Sequence, residues 1–445
     1  MQKIIKSKNF KVFLKYVIPS VIGMMIVGSY SIVDSVFIGQ SGGKAGLAGI
    51  AITWPLVMIF GAVGDMLGTG CAVLISQVRG AGKLNLARSL FGNMLFLQLF
   101  VSFILMFPCL YWLSDILLLF GAEKELLPIS IPYARILILG NLVCMYTTGL
   151  CSVVRNDGRP ALAMTIISVS LILNIVLDYI FIFPLNMGLV GAAWATVVSQ
   201  VVSCVIYFVY FATKYTHLRY SSDMFKIKIV RMKEIIVNGI PSFGNELSII
   251  SMLFLHNYQS MKYGHIDGLA VYTFIGAIES LGSLFMSGLA MGVQPLVAFL
   301  YGAKKYMRQK LIGQMGYISA FVSGLILMCI SLFGRHIFPS WFNLHDEVAQ
   351  MASHGLVISS TAFLCLGIVR VACFYYQSTG KIKEASVLIY GDVFLVLPLC
   401  LFLLPLWFGL DGVWLAMPVS RVILFGYVCC LWRKEKFFKK KNVLI

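Results

Sequence analysis

Six acidic residues, Asp34, Asp65, Asp178, Glu246, Glu279 and Asp392, each lie inside a long apolar run. A carboxylate in hydrocarbon costs about 2.5 kcal/mol or more, so it turns towards a polar cavity or a partner and marks an ion or substrate path. The chemistry such groups offer is proton exchange, cation binding or recognition of a charged cargo. Bond-making chemistry has no comparable signature: HExxH, GxSxG and P-loop patterns are missing and the six histidines are dispersed, so no enzyme is expected. Tyr30 precedes Asp34 by four residues and Asn174 precedes Asp178 by four, so each pair shares one helix face. Glu246 is open to two readings, contact with a cationic substrate or a structural pairing with a neighbouring lysine or histidine, and Asp65 is equally divided. Glu279, Asn257 and Asp392 are further candidate cavity groups, whereas Arg135, Arg370 and Arg421 read as side chains snorkelling from helix ends.

Helices must position these groups. Of 445 residues, 59% are hydrophobic and only 12% charged, and the mean hydropathy is +0.89, which excludes a set of soluble domains. In hydrocarbon only helices or closed barrels satisfy every backbone amide, and continuous apolar runs such as 101–110 and 388–404 lack barrel-type alternation. Apolar segments place spans near 10–38, 46–77, 89–113, 128–152, 161–183, 189–213, 231–258, 268–299, 311–334, 348–375, 385–405 and 410–432. The first run continues without a cleavage site and reads as a retained span. Eleven cysteines without a CxxC pair indicate neither a disulfide framework nor a zinc site.

A net charge of +17 is spread in short clusters between the spans, which argues for topology over nucleic-acid binding. One set of termini and loops carries nearly all the lysines and arginines, and the other offers only Lys44, Lys124, Lys262 and Arg335. Both termini are therefore expected on the cytoplasmic side of the cell (inner) membrane.

The chain also repeats itself. GCAVLISQVRGAGK from Gly70 returns 222 positions later as GVQPLVAFLYGAKK from Gly292. The same offset pairs Pro19-Ser20 with Pro241-Ser242 and Gly158 with Gly380, and GLVGAAWATVVSQ from Gly188 matches GLDGVWLAMPVSR from Gly409 at 221. Copies an even number of spans apart share one orientation, so the expected architecture is two six-helix lobes related by a pseudo-two-fold axis along the membrane normal. The lobes are expected at residues 1–213 and 231–445, joined by a cytoplasmic linker over 214–230.

Pro19 with VDSVFIGQ at 33–40, Pro55 with the GTG and RGAGK stretch closing the second span, GLVGAAWATVVSQ, PSFGNELS and PLVAFLYGAKK together resemble the multidrug and toxic compound extrusion (MATE) transporters, over essentially the whole chain. The resemblance implies a twelve-helix fold and efflux of amphipathic, often cationic, compounds in exchange for H⁺ or Na⁺, with no other cofactor. One branch of that family carries an acidic cluster in its first lobe, whose elements match Tyr30, Asp34, Asn174, Asp178 and Thr196 here. Their implied role is protonation or Na⁺ binding. Two carboxylates, an amide oxygen and a hydroxyl form an all-oxygen set suited to a hard cation, and without a metal the acids would share a proton. Tyr133 is placed by the same resemblance as a cavity tyrosine. At the offset of 222 Asp34 faces His256, Asn174 faces Val396 and Asp178 faces Cys400, so coupling belongs to the first lobe. The expected partners are the bilayer and a small organic cation acting on a monomer. The alternative is a flippase for lipid-linked oligosaccharides, which would want more intramembrane basic residues than these.

Overall fold

The computed structural model describes the backbone of residues 8–342 and 344–441; the side chains at 8, 29–36, 38–42, 44–45, 47, 250 and 435–441 lie outside that description. Every regular element among the described residues is helical. The first half runs through α1 (Lys8–Gly80), α2 (Leu84–Tyr111), the short α3 (Leu113–Leu119), α4 (Leu127–Leu139), α5 (Asn141–Asn156), α6 (Pro160–Ile182) and α7 (Gly188–Ala212). The second half follows with α8 (Ile229–Gly302), α9 (Tyr306–Gly334), the short α10 (Phe338–Trp341), α11 (Asp346–Ser360), α12 (Phe363–Ser378), α13 (Ile382–Gly391), a π turn at Asp392–Val396 and α14 (Leu397–Lys441).

Eight of these stretches are long and apolar enough to cross a membrane, and the two bent pairs α4 with α5 and α11 with α12 raise this to ten. Two of the ten hold a break with left-handed backbone, α8 at His265 and the final stretch at Gly409, so each provides two spans and the total reaches the expected twelve. The molecule is an all-α polytopic membrane protein. Lipid, not water, explains the surface of α2: Leu90, Phe91, Met94, Leu97 and Ser102 are buried, while Phe96, Phe100, Phe103, Ile104 and Phe107 on the other side are exposed.

The internal repeat reappears as geometry. Backbone breaks at Gly43 (φ 55°, ψ −148°) and His265 (φ 51°, ψ −147°) stand 222 residues apart. Left-handed residues Gly82 and Lys304, and Gly158 and Gly380, keep the same interval. So do the starts of α2 and α9 and both ends of α5 and α12. Two sites that are glycine in the first half have become His265 and Lys304 in the second, at a cost of about 1–2 kcal/mol each, and the turn survives. The fourth and tenth apolar runs read as single spans in the sequence but are broken, by 51° at Gly140 and by 42° at residues 361–362. At the first break Asn141 is buried and hydrogen-bonds Ser102 of α2 through both its amide atoms, which holds the bend from the side.

The chain forms two compact units, one of Met1–Phe243 with Ala298–Tyr306, the other of Gly244–Val297 with Met307–Ile445. In unit 1, α1 and α5 approach so closely that a Cβ on Gly64 would meet Met145 and one on Gly68 would meet the backbone of Gly149. Gln98 of α2 bridges the seam by donating to the carbonyls of Gly64 (3.2 Å) and Met145 (2.8 Å). Unit 2 solves the equivalent contact in reverse: Met286 stands where unit 1 has Gly64, and Gly367 where it has Met145, with the Met286 sulfur against Gly367. Residues 213–228 do not hang free from unit 1. Asp157 accepts hydrogen bonds from Thr216 Oγ1 (2.7 Å) and the His217 amide (3.3 Å), and Asn93 both donates to the Lys226 carbonyl (3.0 Å) and accepts from the Lys228 amide (2.7 Å).

The close α1–α5 seam yields a paired expectation for thermal unfolding in detergent. Gly68→Ala should lower the transition by the equivalent of about 1–3 kcal/mol, the usual range for overpacking, whereas Gly61→Ala, whose new methyl meets nothing within 4 Å, should leave it level or raise it. Equal behaviour of the two variants would contradict the seam.

Candidate functional site

In α6 three polar side chains fall on the buried face of an otherwise apolar span. Ser170, Asn174, Asp178 and Ile182 recur every fourth residue on the buried side, while Val169, Ile172, Val176 and Tyr179 are exposed. Asn174 is 2% exposed and Asp178 is fully buried, so the structure brings this predicted pair together on one concealed face. Both amide atoms of Asn174 are buried and lack a hydrogen-bond partner among the described residues. An unsatisfied amide of this kind costs about 1–3 kcal/mol, so it points to a role other than stabilising the fold.

Helix α7 returns antiparallel beside α6, and Ser170 Oγ donates to the Ser199 carbonyl at 3.0 Å. Asn174 and Thr196 each lie about one turn from that contact towards the 183–187 connection, which sets them at one level. Thr196 is half-buried and its carbonyl accepts from Ser199 Oγ at 2.9 Å. Phe37 packs edge-on against Phe183, with ring centroids 6.1 Å apart, and anchors the first span of α1 at the same end. Tyr30 and Asp34 belong to the helical backbone of that span, and their side chains lie outside the described residues. Tyr133 is buried in an apolar cluster with Leu137, Ile182, Leu189 and Ala193 beside this connection.

Unit 2 holds a different polar centre. Arg421 of α14 donates through Nη1 to Asp392 Oδ2, and both side chains are 5% exposed. This corrects the sequence expectation for Arg421: the residue does not snorkel from a helix end but neutralises an acid in the packed interior, because neither charge is tolerable there alone. Arg135, by contrast, is exposed as expected. Asp392 opens the π turn, a local widening of the helix that recurs at functional positions. Arg370, Ser248, Cys373, Asp392 and Arg421 line a cavity of about 20 Å³, roughly one water molecule in size.

Glu279 is buried at mid-helix in the second span of α8, and its Oε2 has no hydrogen-bond partner among the described residues. Nearby, the rings of His256 and Tyr272 stack at 4.8 Å. Glu246 is half-buried beside Asn245, and Asn257 is exposed. The four candidate cavity residues of unit 2 therefore divide, with Glu279 and Asp392 in the interior and Glu246 and Asn257 nearer its surface.

The repeat makes the contrast between the halves concrete. Asp392 falls on Ser170 at the offset of 222 and Arg421 on Gln200 at the offset of 221 that holds for the last span, so an ion pair in unit 2 stands where unit 1 has two uncharged side chains. Sequence reasoning missed the Asp392–Arg421 pairing. The available signal was that two opposite charges each stood in an apolar run with nothing local to balance them. Removing one partner should be worse than removing both: Arg421→Met is expected to cost about 3–5 kcal/mol in detergent unfolding, and adding Asp392→Leu to recover most of it. A double variant no more stable than the single one would mean that the pair is not isolated in the interior.

A family model described as MatE matches residues 19–180 and again 241–402, two matches 222 residues apart. The multidrug export protein MepA of Staphylococcus aureus (strain MSSA476) is 25% identical over 410 residues, covering 92% of this chain and 90% of that protein. MepA of Staphylococcus haemolyticus (strain JCSC1435) is 25% identical over 426 residues, covering 94% and 92%. Among solved structures, an outward-facing multidrug-resistance MATE family transporter of the MOP superfamily superimposes with a TM-score of 0.91 at 22% identity, over 99% of this chain and 98% of the other.

Proposed function

We propose that this chain, which belongs to the MatE family of membrane transporters, is a secondary active antiporter that exports amphipathic, cationic drugs or metabolites in exchange for H⁺ or Na⁺ by alternating access. The observation that carries the reading is the buried pair Asn174 and Asp178, an acid and an unsatisfied amide enclosed on the inward face of a membrane span. A site of that composition binds a proton or a small hard cation, and occupation by either one lowers the negative charge held in the span. Asp34 and Thr196 complete the oxygen set, and Tyr30 is its hydroxyl neighbour one helical turn from Asp34. The similarity to proteins named for multidrug export supports the direction and the breadth of cargo.

Entry of the coupling ion from outside shifts unit 1 towards the conformer that holds cargo less tightly, so ion binding and cargo binding oppose each other. The cationic cargo meets acids in unit 2 too, where Glu246 and Glu279 supply negative charge; Asn257 and Asp392 in unit 2 and Tyr133 in unit 1 are the remaining cavity candidates. The basic clusters of the even-numbered loops and of both termini support a cytoplasmic placement of those parts at the cell membrane.

Reconstituted protein loaded with a fluorescent organic cation, with pH and Na⁺ gradients imposed separately, tests this directly. Export should follow one of the two gradients, and Asp178→Asn should reduce gradient-driven export by about tenfold or more, with Asn174→Ala weakening it less. Wild-type rates in Asp178→Asn would remove the coupling assignment, and a cation that responds to neither gradient would remove the antiporter reading.

A further inference from the structure

Unit 1 contains another intramembrane acid, the half-buried Asp65, which the coupling pair does not use. Thr69 Oγ1 donates to Asp65 Oδ1 at 2.8 Å, Thr69 and Ser152 hydroxyls are 3.1 Å apart, and Ser152 Oγ lies 3.5 Å from the same carboxylate oxygen. Arg155, 1% exposed, donates through Nη2 to Ser152 Oγ at 3.0 Å, so a guanidinium and a carboxylate are joined through two hydroxyls and make no direct ion pair.

The polar track continues along α1 and α5. Asn156 Nδ2 donates to the Ser152 carbonyl (2.9 Å), Ser76 Oγ to Asn156 Oδ1 (2.8 Å) and Arg79 to the Asn156 carbonyl (2.9 Å). Arg79 then pairs with Asp157 at 3.1 Å, and Asp157 accepts from Tyr210 and Thr216, both at 2.7 Å. Residues 65, 69, 76 and 79 recur at helical spacing, so the ladder follows one face of α1 from mid-span to its basic end.

The repeat shows that the scaffold does not require these charges. At the offset of 222 Asp65 falls on Ser287, Ser152 on Phe374 and Arg155 on Gln377, and Gln377 makes a neutral contact with Gln294 at 3.0 Å. The same pair of helices therefore packs with neutral residues at the positions of Asp65, Ser152 and Arg155. We propose that Asp65 is a second proton-binding site of unit 1, its carboxylate held by the Thr69 and Ser152 hydroxyls and balanced through Ser152 by Arg155, which takes up and releases a proton during the transport cycle. Protonated, Asp65 is a neutral carboxyl beside Arg155; on release it becomes the carboxylate that Arg155 balances through Ser152. Cys151, with Tyr207 behind it, is the other titratable group facing the acid. The proposal rests on the antiport reading with H⁺ as the coupling ion.

Two readouts separate proton handling from structure: uptake driven by a pH gradient, and counterflow, in which labelled cation exchanges for unlabelled cation with no net proton movement. In Asp65→Asn, gradient-driven uptake should fall by about tenfold or more while counterflow stays within about twofold of wild type, and Asp65→Glu should restore the gradient response. Retention of both reactions in Asp65→Asn, or equal loss of both, overturns the proposal, as does a wild type driven by Na⁺ alone. If Asp65→Asn does not fold, the double variant Asp65→Asn/Arg155→Gln, which copies the neutral arrangement of unit 2, is expected to show the same split and is overturned by the same results. An infrared pH titration of the purified protein needs no transport at all. A titrating carboxyl band lost in Asp65→Asn is the expected result, and unchanged spectra overturn the proposal even where the wild type moves no cation and the antiport reading itself has failed.

Discussion

Inside a bilayer there is no water to finish a hydrogen bond, and this one deficit governs the molecule. It makes helices the only economical local structure for this chain, since each backbone amide finds its partner within its own segment. It also makes each internal charge conspicuous, because a group that cannot be hydrated must meet another group, an ion or a proton. The placing of Ser170, Asn174 and Asp178 on the buried face of α6 follows directly. The interior is accordingly organised around a few polar centres held between tightly packed small residues.

Duplication of the scaffold without duplication of its chemistry is the second theme. The breaks at Gly43 and His265 and the matched limits of α5 and α12 preserve one backbone plan. Upon it the charges have been distributed differently: Asp178 and Asp65 in unit 1 have uncharged counterparts, and Asp392 with Arg421 occupies places that unit 1 fills with a serine and a glutamine. Even an apolar contact has drifted in a compensated way, with glycine and methionine exchanged between the two helices at Gly64–Met145 and Met286–Gly367. Volume at the seam is conserved while the residues that supply it are not.

What could be read beforehand divides by distance along the chain. Twelve spans, the repeat and the Asn174–Asp178 face are local in character, a matter of apolar runs, fixed offsets and a four-residue spacing. The bend at Gly140 is hidden because residues 128–152 are apolar enough to read as one span, and what holds the bend is Ser102 on another helix. The Asp392–Arg421 pair spans 29 residues and the Asp65–Ser152 contact 87, so neither leaves a mark within a sequence window. The π turn at Asp392 is equally silent, since nothing in DVFLV departs from ordinary helix-forming apolar sequence. Family resemblance supplied the grouping of the five coupling residues, which periodicity alone could not have assembled.

The segment after α7 looks dispensable by composition, basic and polar, the obvious place to cut the chain, attach a reporter or insert a domain. Its backbone is nonetheless committed. Asp157 grips it at Thr216 and His217, and Asn93 grips it again at Lys226 and Lys228, leaving only the short stretch around 219–222 between the two holds. Tolerance of insertion depends on whether the affected backbone is already bonded, not on how hydrophilic it is. An engineer wishing to open this transporter at its middle therefore has a window of a few residues, bounded on one side by the Asp157 anchor that also fastens Arg79 and Tyr210 and on the other by Asn93.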